Sequence, residues 1–253
     1  MIFKRAVAKL RAQDWMAIFI EIAIVVIGVF IGTWVANWNQ ERQAKAQTRL
    51  LLIQLRPEID RIVEFSDNTR AYFATTHRFA ETAFKGWARD PNVSDQQFVI
   101  AAYQASQIHG VNSGPSWSLV FGGDQLRNID NLEVRRPLGR LMTFNADPLS
   151  VNAIATPYRA DVRQVIPDDI QAAIRGACGD RLHGDTSDLT LPETCDVALD
   201  PAETARTAAD LRAHPELVGE LRSHFGIIAG YLNSVLQYEQ LALVLKRRLA
   251  SLK

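Results

Sequence analysis

The chain reads as an all-α protein. One N-terminal transmembrane helix continues into a long stalk helix, packed in an extracytoplasmic helical bundle with a long C-terminal helix. Three observations predict this. Residues 15–36 run for 22 residues with one ionisable side chain, Glu21. Two other stretches, after residue 50 and after residue 215, carry apolar residues at helical spacing over many turns, and alternating strand patterns are nearly absent. The 253 residues suffice for one sizeable domain or two small ones. Lysine plus arginine equal aspartate plus glutamate at 28 each, mixed along the chain. That balance argues against a basic nucleic-acid surface and an acidic tail.

The first element follows from magnitudes. A membrane helix needs about 20 mostly apolar residues. Between Ala17 and Ala36 stand six Ile, four Val and two Phe. They favour insertion by roughly 5 kcal/mol, against about 3 for one charged residue at mid-span, and Glu21 is off-centre. Trp15, Trp34 and Trp38 flank the run, as rings at the two interfaces do. A cleaved signal peptide fits less well, because the apolar core is long and no small-x-small site follows it. The expected division is a cytoplasmic basic segment 1–13, a transmembrane helix 14–38 and an extracytoplasmic domain 39–253. Lys4, Arg5, Lys9 and Arg11 precede the span, while Arg42, Lys45 and Arg49 follow it, a small bias toward a cytoplasmic N-terminus.

On a helix at 100° per residue, Gly28 and Gly32 fall about 20° either side of Glu21, and Asn39 falls at about 0°. Glu21, Gly28, Gly32 and Asn39 therefore form one narrow stripe. Glycines four apart let two membrane helices approach closely, and a polar group inside a membrane usually faces protein. The stripe is thus a candidate transmembrane interface, to a second copy or another membrane protein. Snorkelling of Glu21 to the near interface, with incidental glycines, is the bland alternative.

Beyond Ala36 no Gly or Pro interrupts the chain before Pro57. Leu51, Leu55, Ile59, Ile62 and Phe65, then Phe73, Phe79 and Phe84, keep helical spacing. The span is expected to continue as a stalk, with a kink near Pro57. Ser94 and Gln97 form a capping-box pattern, starting a helix to about Gln107. "HGVNSGPSW" is a loop and Asp124 an N-cap for short helices over 124–145. Asp147-Pro148 and Thr156-Pro157 are cap-then-proline pairs, "DDIQAAIRGAC" is one more helical piece, and Asp200-Pro201 caps another. Leu217, Leu221, Phe225, Ile228, Leu232 and Val235 mark a last helix from about 215 to 252. It should pack antiparallel to the first and bring Lys246, Arg247, Arg248 and Lys253 back toward the membrane.

Cys178 and Cys195 bracket a polar Gly-, Asp- and Thr-rich loop, and a disulfide between them is expected. It would contribute roughly 3 kcal/mol and would require an oxidising compartment. With the charge bias, that places the main domain in the periplasm and the span in a bacterial inner membrane.

The span also resembles an uncharacterised bacterial family of single-pass membrane proteins. The matching residues are Glu21, "VVIG" at 25–28, and Asn37, Trp38 and Asn39. A looser likeness lies in "WSLVFGGDQLRNIDNLEVRRPLGRLMTF", which departs from the family pattern in "FGGD" and in Pro137. The resemblance covers about a third of the chain. It implies the single-span topology and a helical outer domain, and it implies no activity.

No G-x-S-x-G, HExxH, P-loop or CxxC occurs, so neither enzyme activity nor a cofactor is expected. Glu220 and His224, four apart, are read as a solvent-facing pair rather than two ligands of a metal. Asp168-Asp169 is read as a helix start. His109 and Trp117 are the candidates for a binding loop. Tyr238 and Glu239 sit where a polar ligand could enter between helices. Two functions remain. One is a membrane-anchored interaction or scaffold protein associating through its transmembrane helix. The other is a periplasmic sensor or small-ligand-binding module acting through a partner.

Overall fold

The computed structural model describes residues 15–110, 126–182 and 188–251, with side chains from residue 19 on. The basic segment 1–13, Trp117, Asp124 and Lys253 lie outside the described residues.

The protein is all-α, as the sequence predicts. Seven helices are described: α1 Trp15–Trp87, α2 Asp95–Gln104, α3 Leu132–Met142, α4 Pro157–Val165, α5 Asp168–Cys178, α6 Pro201–Ala213 and α7 Glu216–Ala250. A two-residue antiparallel pair, β1 Arg181–Leu182 with β2 Leu189–Thr190, closes the loop after α5.

Helix α1 runs for 73 residues without a break, with Pro57 inside it. From Phe19 to Trp38 it is mostly apolar, with Glu21 its one ionisable residue, and by length and composition it is long enough to cross a membrane. From Leu52 it becomes amphipathic. Leu55, Ile59, Tyr72, Phe73 and Ala83 are buried, and α7 packs against this half. The helix stops at Arg89, whose φ of 58° lets the Asp90 amide reach back to the Lys85 carbonyl at 3.0 Å.

The core has two lobes. One joins α1 from Leu52 to Phe73 with α3 and the second half of α7, through Leu138, Leu141, Val235 and Leu245. The other gathers α2, α4, α5, α6 and the start of α7 around Phe98, Tyr103, Tyr158 and Leu221. Helix α2 lies so close to α1 that a Cβ on Gly86 would stand 2.1 Å from the Phe98 ring.

Local capping follows the sequence closely. Ser94 and Gln97 form the reciprocal capping box, Asp200 accepts from the Glu203 amide at 2.8 Å with Pro201 at the first helical position, and Asp168-Asp169 opens α5. Three expectations change. Helix α2 ends at Gln104, because the Ser106 and Gln107 amides turn back to carbonyls three residues earlier. Asp147-Pro148 starts 3₁₀ turns, Asp147–Leu149 and Val151–Ile154, rather than an α-helix. Thr156 does not cap α4 with its side chain, because its hydroxyl is engaged elsewhere.

Candidate functional site

Two regions carry the residues singled out in the sequence: the exposed arm of α1 and a polar seam inside the bundle.

On the arm, Glu21, Gly28, Gly32 and Asn39 are all exposed. A Cβ built on Gly28 or Gly32 meets no atom within 4 Å. The flanking Ile, Val and Phe side chains are equally uncovered, Phe30 being 71% exposed. At the end of the apolar run the Arg42 guanidinium stands 4.8 Å from the Trp38 ring centre, a cation–π contact. The bundle touches α1 on the side away from the stripe. The first residues of α1 buried by it, Thr48, Leu52, Leu55 and Ile59, lie about 160–220° from Glu21 around the helix. The fold therefore leaves the stripe open along the whole arm.

His109 is buried, which places it in the core rather than on a loop surface. Its ring packs 5.9 Å from Phe65 and 5.3 Å from Tyr72. Burial holds its pKa below the usual histidine value, against the pull of Asp188 and Asp180. Its Nε2 has no hydrogen-bond partner among the described residues. Beside it the Tyr72 hydroxyl donates to Asp180 at 2.8 Å, and burial, with Asp180 second, pushes that phenol far up. Arginines gather at the C-terminal end of α2, where helix carbonyls are left over. Arg159 donates to the Ser106 carbonyl at 2.6 Å and Arg163 to the Gln107 side chain at 3.2 Å. Arg163 also lies 5.0 Å above the Tyr103 ring, and Arg175 donates to the Tyr103 hydroxyl. Burial, then the neighbouring Arg163, lowers the pKa of Arg159.

Cys178 and Cys195 are brought together as a disulfide, with their Cα atoms 5.3 Å apart. It ties the end of α5 to the segment leading into α6.

Two readings of the sequence are corrected. Glu220 and His224 are not a solvent-facing pair. His224 is fully buried, because α4 packs on that side of α7. Its Nδ1 stands 2.7 Å from the Thr156 hydroxyl, and burial drives its pKa down to about 4. Glu220 instead edges a surface cleft of about 490 Å³ with Asp161, Asp210, His214 and Glu216. Among the described residues no three His, Cys, Asp or Glu are placed to hold a metal. Glu239 is likewise not waiting for a ligand. It is buried and bridged by both terminal nitrogens of Arg70. Tyr238 stacks on Phe144, ring centres 4.9 Å apart.

Sequence reasoning missed the Arg70–Glu239 and Thr156–His224 pairs. Their members are 169 and 68 residues apart. The available signal was a charged or polar residue lying on an otherwise apolar stripe, which demands a buried partner.

Comparison of the chain with protein-family models, curated proteins and solved structures finds no match.

Proposed function

We propose that this protein is a membrane-anchored, non-enzymatic interaction protein whose α1 arm associates with another helix through the Glu21, Gly28, Gly32 and Asn39 face. In this reading the arm spans a bacterial inner membrane with its N-terminus in the cytoplasm, and residues 39–253 form a periplasmic scaffold. The disulfide suits that oxidising side, and the resemblance of the span to a single-pass family agrees with it. One observation carries the reading. The stripe is exposed over its whole length, and the bundle occupies the opposite side of the same helix. A carboxylate and two glycines aligned in a lipid-length helix gain most when a second helix covers them. The test is association in native membranes. Gly28→Ile with Glu21→Leu should abolish co-purification of differently tagged copies or of a partner. Unchanged association would sink the proposal.

A second reading, a small-ligand module, rests on the buried ring nitrogen of His109, which has no hydrogen-bond partner among the described residues and packs on Phe65 and Tyr72. A metabolite panel that raises the unfolding temperature of wild type but not of His109→Phe would support it. No shift across the panel would count against it.

A further inference from the structure

We infer that the open face of α1 continues out of the membrane as one seam from Gly28 to Ile53, and that a second copy of this chain, running parallel, covers it. The inference rests on the reading that α1 associates through this face.

The stalk between Asn39 and Arg49 is almost wholly polar, yet Leu50 and Ile53 stand exposed on it at 61% and 52%. Their positions around the helix are not arbitrary. Counted from Glu21, Ala46, Leu50 and Ile53 fall at about −20°, +20° and −40°, in line with Gly28, Gly32 and Asn39. The apolar residues left bare in water therefore extend the membrane stripe, on the side the bundle does not use. The series Glu21, Gly32, Gln43 and Gly28, Asn39, Leu50 each advance by eleven residues. That period keeps two helices in contact over a long, slightly right-handed pair.

A second copy fits the flanks. Copies inserted the same way run parallel, so the flank on the negative side of one helix's seam meets the flank on the positive side of the other's. The negative flank holds Arg42 and Arg49, the positive flank Gln43, Gln47 and Gln54. Guanidinium donors thus meet amide acceptors, and like charges stay apart. Asn39 sits on the seam and meets its own copy, where one amide both donates and accepts. Along the seam, up to Ile53, the buried residues Thr48 and Leu52 lie on the outward side of each helix.

The test uses the full chain in native membranes with single cysteines at positions 28, 50, 53 and 40. Cys178 and Cys195 are left as the disulfide and supply no free thiol. Gln40 lies about 100° off the seam. Oxidation should give a band at twice the 28.3 kDa chain mass for Gly28→Cys, Leu50→Cys and Ile53→Cys, and none for Gln40→Cys. Crosslinking at 28 but not at 50 or 53 would overturn the seam while leaving association of the span intact. No crosslink at any position would overturn the second copy as occupant, while the co-purification test above decides separately whether the span associates with a different helix. A product of another mass at 50 or 53 would replace the second copy with a different protein. Equal crosslinking at 40 would mean random collision and would overturn the inference.

Discussion

Helix α1 is one helix in two environments. From Phe19 to Trp38 its large apolar side chains are exposed, and none of the described residues packs on them; from Leu52 to Trp87 a stripe of apolar residues is buried, and the rest faces solvent. The backbone is the same throughout, so the difference is one of pattern. An all-round apolar helix has its solvent in the bilayer, whereas a striped one has it in the core and water. Apolar content alone says little about stability, because a side chain strengthens the fold only where other side chains surround it.

The strongest test of that contrast compares two phenylalanines. Phe73→Ala in the bundle removes a buried ring and should cost about 3–5 kcal/mol, roughly 8–15 °C in the unfolding midpoint of the detergent-solubilised chain. Phe30→Ala on the arm should move the same midpoint by less than about 0.5 kcal/mol, because Phe30 is 71% exposed among the described residues. Comparable losses at the two sites would break the comparison.

Next is pH. The unfolded chain takes up a proton at histidine near pH 6.5, but buried His224 does so only near 4. Between those values the unfolded state binds more protons. Stability is therefore complete above about pH 6.5 and falls as pH drops toward 4, by on the order of 3 kcal/mol. Lowered His109 adds in the same direction. Denaturant titrations across this window should show the fall, and His224→Asn should flatten it.

Replacing both Cys178 and Cys195 with serine should cost about 3 kcal/mol, read as a lower unfolding midpoint, with the arm's membrane retention unchanged. Asp200→Ala removes the α6 cap and should cost about 1 kcal/mol in the same assay.

Where structure is set locally, it is legible in the sequence. Ser94 with Gln97 and Asp200 with Pro201 are read from four residues each, and they form as read because the partners lie within one turn. The long helices are legible through their repeats, and the cysteine pair through its loop. His224 is not, because the Glu220 spacing describes only its own helix; its burial is decided by α4, whose leading residue Thr156 lies 68 residues earlier in the chain. Glu239 escapes for the same reason, since Arg70 comes from the far end of the fold. On the arm the stripe is purely a matter of angle, so it is readable without tertiary information. That the bundle chooses the opposite face of α1 is not readable, because it depends on where α3 and α7 settle.

The unbroken course of α1 has a mechanical consequence. At 1.5 Å per residue its 73 residues make a rod of about 110 Å, and the bundle is built onto its outer half rather than joined by a flexible linker. On the proposal that residues 19–38 lie in a bilayer, a twist of the rod there swings the bundle through the same angle, and a slide along the membrane normal lifts or lowers it by the same distance. The rod is then a lever, with its handle in the lipid and its load outside.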